Sequence, residues 1–525
     1  MTLSTKRLSA LALAGVLTFG LTAALAAQVR LPAVIADHMV IQQEKPVAVW
    51  GWAGKNEAVT VLFNGQERKT VASAVDGKWR VVFDALKAGD TPLEMTIRGA
   101  KGPALSVKDI LVGEVWVCSG QSNMEMPFTW LAIASPDVAR AVNPNMRLFL
   151  VPKRTAAAPQ DDVAARWDLC APDTVRTFSM VAYYFGLELH KRLGVPVGLI
   201  DTSWGGTMIE PWTPPIGFAA VPELKPILDG QAVKYAAYRN GMAKALPPAI
   251  AWAKEAQKAL AAGQPLPPGP EPSSPVDPYD DPQAPTALYN GMVHALTPFA
   301  VRGAIWYQGE SNRNDGLLYA RKMEALISGW RTAWGLGDFP FYYVQLAPFA
   351  YGYSRETPVV DVPDFLRLPL IWEAQAKALR IPNTGMAVIT DIGDLKDIHP
   401  TNKRDVGYRL SLWARANTYG EKTLVYSGPL YKSMTVDGNL IRIAFDDVGG
   451  GLVASDGQPL KWFEIAGEDH IFYNAEAEVA GDTVVVWNPR VASPKAVRFG
   501  WHQLAVPNLA NKEGLPASPF RTDNW

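Results

Sequence analysis

Along the chain, apolar and polar positions first alternate with a period of two. Val47-Ala48-Val49-Trp50-Gly51-Trp52, Ala58 to Phe63 and Trp79 to Phe83 follow this pattern, which places one residue face against a core and the other against solvent. Asn64-Gly65 and Asp76-Gly77 lie next to these runs and favour tight hairpin turns. Residues 27–108 are therefore expected to form a β-sandwich-like domain. The pattern then changes. Ile110–Val117, Val195–Asp201, Val301–Tyr307, Phe341–Leu346 and Met386–Asp391 are short, continuously apolar runs of the kind found in buried strands. Between them, Ser179–Leu193, Leu317–Trp334 and Leu370–Arg380 carry helical spacing, and a last helix starts after Pro400 and runs to about Thr418. Strands alternating with helices predict a parallel sheet in a three-layer α/β arrangement over 109–420. In such sheets a ligand sits beyond the carboxyl ends of the strands.

An insertion interrupts this region. Val221–Ala262 has helical signals, and 264–285 is crowded with Pro, which removes backbone donors and predicts an extended loop. From 421 to 525 the alternation returns at Leu440–Phe445, Trp462–Ile465, Thr483–Trp487 and Ala496–Phe499, with Asp437-Gly438 as a turn. A β-rich C-terminal region is expected there.

Composition narrows the function classes. A net charge of -1 and 19% charged residues over 525 positions give no reason to expect nucleic acid or an anionic membrane as partner. Eighteen Trp supply rings for a core and also faces on which sugars stack. At the N-terminus, Lys6 and Arg7 precede an apolar run from Leu8 to Leu25, and Ala24-Leu25-Ala26 fits a small-x-small cleavage site. Residues 1–26 are thus expected to be a signal peptide, and the mature chain to work in the periplasm or outside the cell. Cys118 and Cys170 are the two cysteines, and an oxidising compartment permits them to pair. No Cys or His pair has metal-ligand spacing, so no metal and no cofactor is expected.

Candidate chemistry gathers after four of the predicted strands. Gly120-Gln121-Ser122-Asn123-Met124 puts Ser122 at a strand-to-helix turn, where its own N–H can face a developing oxyanion. Trp204-Gly205-Gly206 lets the backbone approach a ligand closely. Gln308-Gly309-Glu310-Ser311-Asn312 offers side-chain amides to an oxyanion and a carboxylate to a sugar hydroxyl. Asp394-Leu395-Lys396-Asp397-Ile398-His399 supplies a base with carboxylates nearby. Each piece alone is more often a turn or a cap than a catalytic element, but four in one fold at strand ends point to a hydrolytic site. Gly-x-Ser-x-Gly is absent, which disfavours a peptidase of that type. A non-catalytic carbohydrate-binding protein is the reading of another class that the intact Ser122 and His399 oppose.

These four motifs, with Tyr289-Asn290-Gly291-Met292 and the ending Asn508 to Asn511 and Pro519 to Thr522, resemble the sialate O-acetylesterase branch of the SGNH (GDSL-like) hydrolases. The resemblance implies a flavodoxin-like α/β/α catalytic domain and hydrolysis of acetyl esters on sugars, including acetylated hemicelluloses (xylan or xyloglucan) in related members. It implies Ser122 as nucleophile and His399 as base. The oxyanion hole would use the N–H groups of Ser122 and Gly205 or Gly206, with the amide of Asn312 or Gln308. Gln121, Asn123, Trp204 and Glu310 are the candidate substrate contacts. One departure is that Lys396 stands where the wider superfamily has an Asp three residues before the His. Asp397 is the expected orienter of His399, with Asp394 or a backbone carbonyl as alternatives. The expected partner is an acetylated carbohydrate, with no nucleic acid and no membrane after signal cleavage.

Overall fold

The computed structural model of the chain describes residues 29–269, 275–352 and 364–525. The expected signal peptide, and 270–274 of the Pro-rich segment, lie outside the described residues.

One strand, Leu105–Gly120, organises the molecule. Its first half pairs antiparallel with Gly89–Gly99 and parallel with Val40–Gln42, which belong to the N-terminal β region. Its second half pairs parallel with Val197–Asp201 on one side and Gly303–Tyr307 on the other. Burial follows this division: exposed and buried positions mix up to Asp109, and every residue from Ile110 to Gly120 is buried. The expected boundary at 108/109 therefore falls inside a continuous strand, because both halves find hydrogen-bond partners and no linker is needed.

The central sheet runs in the order Thr384–Ala387, Phe341–Val344, Gly303–Tyr307, Leu105–Gly120, Val197–Asp201, Asn143–Leu150, Trp167–Cys170. All neighbours are parallel except the last pair, which is antiparallel. The side chains that leave the two faces define two helical layers. Trp116 meets Phe185 of the helix Met180–Leu193, which packs on Lys403–Trp413. Ser119 stands three residues on, so it and its register partner Trp306 point to the other face. There Trp306 meets Trp330 of Leu318–Trp334, which packs on Pro215–Ala220 and Arg367–Ala378. The three-layer α/β/α architecture is the expected one.

The insertion forms a helix, Lys225–Ala261, of which only Gln231 and Ala256 are buried. At the C-terminus two four-stranded antiparallel sheets enclose a separate core containing Ile443, Phe463, Ile465, Val486, Phe499 and Phe520. Gly438 turns its hairpin with φ 60°, as its Asp-Gly sequence predicts. Arg521 joins Glu373 at 2.9 Å, tying this core to the helix Arg367–Ala378.

Cys118 and Cys170 do not pair; both are buried free thiols. Their strands are three places apart in the sheet, about 14 Å at the usual strand spacing, twice the reach of a disulfide. Burial raises both thiols, Cys170 to about 12.

Glu114 in the central strand is fully buried. It accepts hydrogen bonds from Arg302 at 2.7 and 2.8 Å, from the Tyr419 hydroxyl at 2.9 Å and from Gln43 at 2.6 Å. Three distant segments converge on one carboxylate. Glu114→Ala leaves the partly buried Arg302 with only its longer contact to Glu44 at 3.4 Å and strips the Tyr419 hydroxyl and Gln43 of their acceptor, which should cost about 3 kcal/mol of unfolding free energy. Chemical denaturation checks this, and a loss under about 1 kcal/mol would show that the three segments do not depend on the carboxylate.

Candidate active site

The central strand ends in a turn that only glycine permits at Gly120. Its φ is 143°, and a Cβ there would lie 2.1 Å from the Tyr307 carbonyl oxygen. That close approach lets the Gln121 N–H donate to Tyr307 O at 3.0 Å and the Trp204 N–H donate to Gly120 O at 3.1 Å. Three neighbouring strand ends are thereby locked together around the short helix Ser122–Glu125. The loop after the edge strand Thr384–Ala387 brings His399 across, and His399 Nε2 stands 2.8 Å from Ser122 Oγ. Trp130 packs edge-on against the imidazole with ring centres 5.8 Å apart.

The two candidate orienters of His399 behave differently. Asp397 Oδ1 accepts the His399 main-chain N–H at 2.8 Å and lies 3.9 Å from Nδ1. It shapes the turn and faces the ring, but beyond hydrogen-bond distance. Asp394 accepts the Lys396 N–H at 2.8 Å, which leaves it bracing its own turn. Partial burial lowers the pKa of His399, followed by the charge of Lys403, while Asp397 and Glu125 oppose them.

The expected oxyanion donors divide sharply. Among the described residues the Ser122 and Gly206 N–H groups donate to no protein acceptor. Gly205 packs against Ser122, where a Cβ on it would lie 3.2 Å from Ser122 Cβ, but its N–H donates to Glu125 Oε2 at 2.5 Å, and Lys153 holds the other oxygen of that carboxylate at 2.5 Å. The two amides are spent within the protein. Gln308 Nε2 donates to Asn312 Oδ1 at 2.7 Å and to Thr207 O at 3.2 Å. Asn312 Nδ2 donates to Glu210 and Asp315, and its Oδ1 also accepts the Ile209 N–H. Lys322, itself buried, neutralises Glu210 and Asp315 at 2.5 and 2.6 Å. This network forms the floor of the site.

Gln121 has the reverse arrangement. Its Oε1 accepts Gln308 Nε2 at 3.2 Å and the Gly309 and Ser311 N–H groups at 3.3 Å each. Two main-chain donors fix the amide orientation, so Nε2, beside the nucleophile in sequence, is the end left for another acceptor. Trp204 is half-buried on the rim, with Lys153 5.8 Å from its ring centre. Asn123 and Glu310 are buried and bonded to each other at 2.5 Å. The Pro-rich segment reaches the rim through Gln283, which donates to Gly206 O at 2.8 Å and accepts the Met208 N–H at 2.9 Å.

Comparison with known proteins fits this geometry. A family model described as carbohydrate esterase, sialic acid-specific acetylesterase, matches residues 275–403, which include Gln308, Asn312, Asp397 and His399. Sialate O-acetylesterase of Rattus norvegicus is 32% identical over 94% of both chains, and that of Homo sapiens is 32% identical over 76% of this chain and 73% of its own. The chain belongs to the sialic acid-specific acetylesterase family of carbohydrate esterases. It is a serine ester hydrolase. A solved structure of this kind, a carbohydrate acetylesterase from Xanthomonas citri, is 37% identical and superimposes with TM-score 0.77 over 95% of this chain and 100% of its own.

For a member of this family, sequence reasoning overlooked Glu125, Lys153 and Lys403. Glu125 lies three residues after Ser122, but nothing local announces that Lys153 would close on it. The motif Tyr289–Met292 serves structure: a Cβ on Gly291 would lie 2.1 Å from Arg154 O, and Asn290 donates to Ala156 O at 3.1 Å, so the motif backs the loop that carries Lys153.

Asn312→Ala should lower stability, by about 1–3 kcal/mol, since it orphans the buried Ile209 N–H and removes the shortest hydrogen bond of the Gln308 amide. Thermal unfolding alongside ester hydrolysis separates the roles. An unchanged melting temperature with lost activity would instead place the Asn312 amide at the reacting carbonyl.

Proposed function

We propose that this esterase removes acetyl groups from sugar hydroxyls, with O-acetylated sialic acid as the first substrate to test, by way of an acetyl-enzyme on Ser122. The observation that carries the reading is the 2.8 Å contact of Ser122 Oγ with His399 Nε2 in the crevice at the carboxyl ends of a parallel sheet. The curated relatives named above are sialate O-acetylesterases, and the Xanthomonas citri protein is titled a carbohydrate acetylesterase. Their names support the substrate class.

In the proposed reaction His399 Nε2 takes the Ser122 hydroxyl proton as Oγ bonds to the acetyl carbonyl carbon. The developing oxyanion receives the Ser122 N–H and the Gly205 N–H once Glu125 has turned away, with Gln121 Nε2 as the side-chain donor in place of Gln308 or Asn312. The C–O bond to the sugar then breaks, and the imidazolium returns its proton to the leaving alkoxide. Water, deprotonated by His399, attacks the acetyl carbon, and acetate leaves with Ser122 restored. The Asp397 carboxylate stabilises the imidazolium through space at 3.9 Å.

Ser122→Ala and His399→Ala should each cut acetate release from O-acetylated sialic acid or acetylated xylan by at least about a thousandfold, and the double variant should lose little more. Acetate is measured enzymatically on folded protein. Near wild-type turnover in either variant removes that residue from the mechanism, and release from xylan alone would move the substrate to acetylated hemicellulose.

The pH dependence has a definite sign. His399 must be neutral to accept the serine proton, and its folded pKa lies below the ordinary value. Activity is thus lost as pH falls through that lowered pKa. The acid limb of kcat/KM on 4-nitrophenyl acetate should have its midpoint below about 6.5, the unperturbed histidine value. A midpoint above that would mean that Asp397 and Glu125 outweigh burial and Lys403.

A further inference from the structure

We propose that Lys403 is a positioning residue which, through Asn123 and Glu310, locks the loop carrying His399 onto the turn carrying Ser122. Lys403 opens the helix Lys403–Trp413, yet its side chain turns inward and is fully buried. Its Nζ donates to Asn123 Oδ1 at 2.5 Å. That contact fixes the amide, so Asn123 Nδ2 must point the other way. There it donates to Glu310 Oε1 at 2.5 Å and to the carbonyl oxygen of Ile398 at 2.9 Å. Ile398 immediately precedes His399, and Asn123 immediately follows Ser122. One side-chain amide therefore spans the nucleophile turn and the base loop, and a buried cation and a buried anion hold it from both sides.

The alternative assignment, Asn123 and Glu310 as sugar contacts, does not suit these bonds. Asn123 is 1% exposed, and both ends of its amide are used. The Lys403 ammonium also lies 5.3 Å from the centre of the Tyr307 ring, which closes the remaining side. The groups facing His399 are Asp397 on its own loop, Glu125 from the nucleophile helix and Lys403 from the following helix. Those facing Lys403 are Glu310 and Asp397, with Tyr307 beneath. Burial favours loss of the Lys403 proton over the opposing charges of Glu310 and Asp397, and its pKa falls to about 7. It is thus charged below neutrality, across the pH range in which His399 titrates. Its charge opposes protonation of the imidazole, so the bridge both places the base and keeps it ready to accept a proton.

This proposal rests on His399 as the base of the Ser122 reaction. The test compares wild type, K403M and K403M/E310Q on 4-nitrophenyl acetate from pH 4.5 to 8, with S122A as control and melting temperatures recorded. K403M keeps the length of the side chain and removes the charge. The double variant removes both charges and so leaves no lone buried ion if K403M alone fails to fold. In each folded variant the acid limb should move up by about half a pH unit or more, because a cation near the imidazole is gone. The same variants should lose roughly tenfold or more in kcat at neutral pH with KM changed little, as expected for a misplaced base. A purely structural lysine would lower the melting temperature without moving the limb. A folded variant with the wild-type limb and kcat overturns the proposal, whereas activity in S122A would overturn the catalytic reading on which it rests.

Discussion

The molecule depends on the hydrogen bonding of one strand to partners on both of its edges and along its whole length. Leu105–Gly120 ties the N-terminal β region to the central sheet, and its parallel pairing with Val197–Asp201 and Gly303–Tyr307 sets three carboxyl ends side by side. Parallel register leaves no freedom in where the following loops begin. The Ser122 turn, the Gly205 loop and the Gln308 loop must emerge together, and the Gly120 backbone lets them touch. The buried Glu114 performs the matching task midway along this strand, where its pairing with Val197–Asp201 begins and Arg302, Tyr419 and Gln43 meet it.

Beneath the candidate catalytic pair the polar groups are organised in two ways. The floor made of Gln308, Asn312, Glu210, Asp315 and Lys322 satisfies its members internally, as buried polar groups require. It is a rigid support with few free donors. The upper groups differ: among the described residues the Gln121 amide nitrogen donates to no protein acceptor, and Glu125, which accepts the Gly205 N–H, is held by an ion pair with the partly exposed Lys153. Rigid groups set the geometry, and groups that can exchange partners face the substrate.

Much of the architecture was legible in the chain because it rests on local patterns. Period-two alternation marked Val47–Trp52 and Ala58–Phe63, apolar runs marked Val197–Asp201 and Gly303–Tyr307, and Asn64-Gly65 took the positive φ values of 47° and 73° that its turn demands. The boundary at 108/109 was not legible, since a strand that changes partners midway shows no break in its own sequence. The Cys118 and Cys170 question could not be decided from spacing either. Strand order, which no local pattern encodes, separates them.

For the candidate site, the sequence by itself determined the inventory: a serine at a glycine turn, a glycine pair, amides after a third strand and a histidine in a late loop. It did so because those residue types and their strand-end positions are properties of short segments. The tertiary structure alone decided their partners. It brought His399 to Ser122 across 277 positions of chain. It consumed the amides of Gln308 and Asn312, and it kept Asp397 at 3.9 Å from the imidazole. Lys403, which in sequence is an ordinary polar residue at a helix start, became a buried cation within reach of Asn123. Side-chain hydrogen bonds act over about 3 Å, so which groups meet depends on how loops from different strands close, and that is fixed only when the whole sheet is assembled.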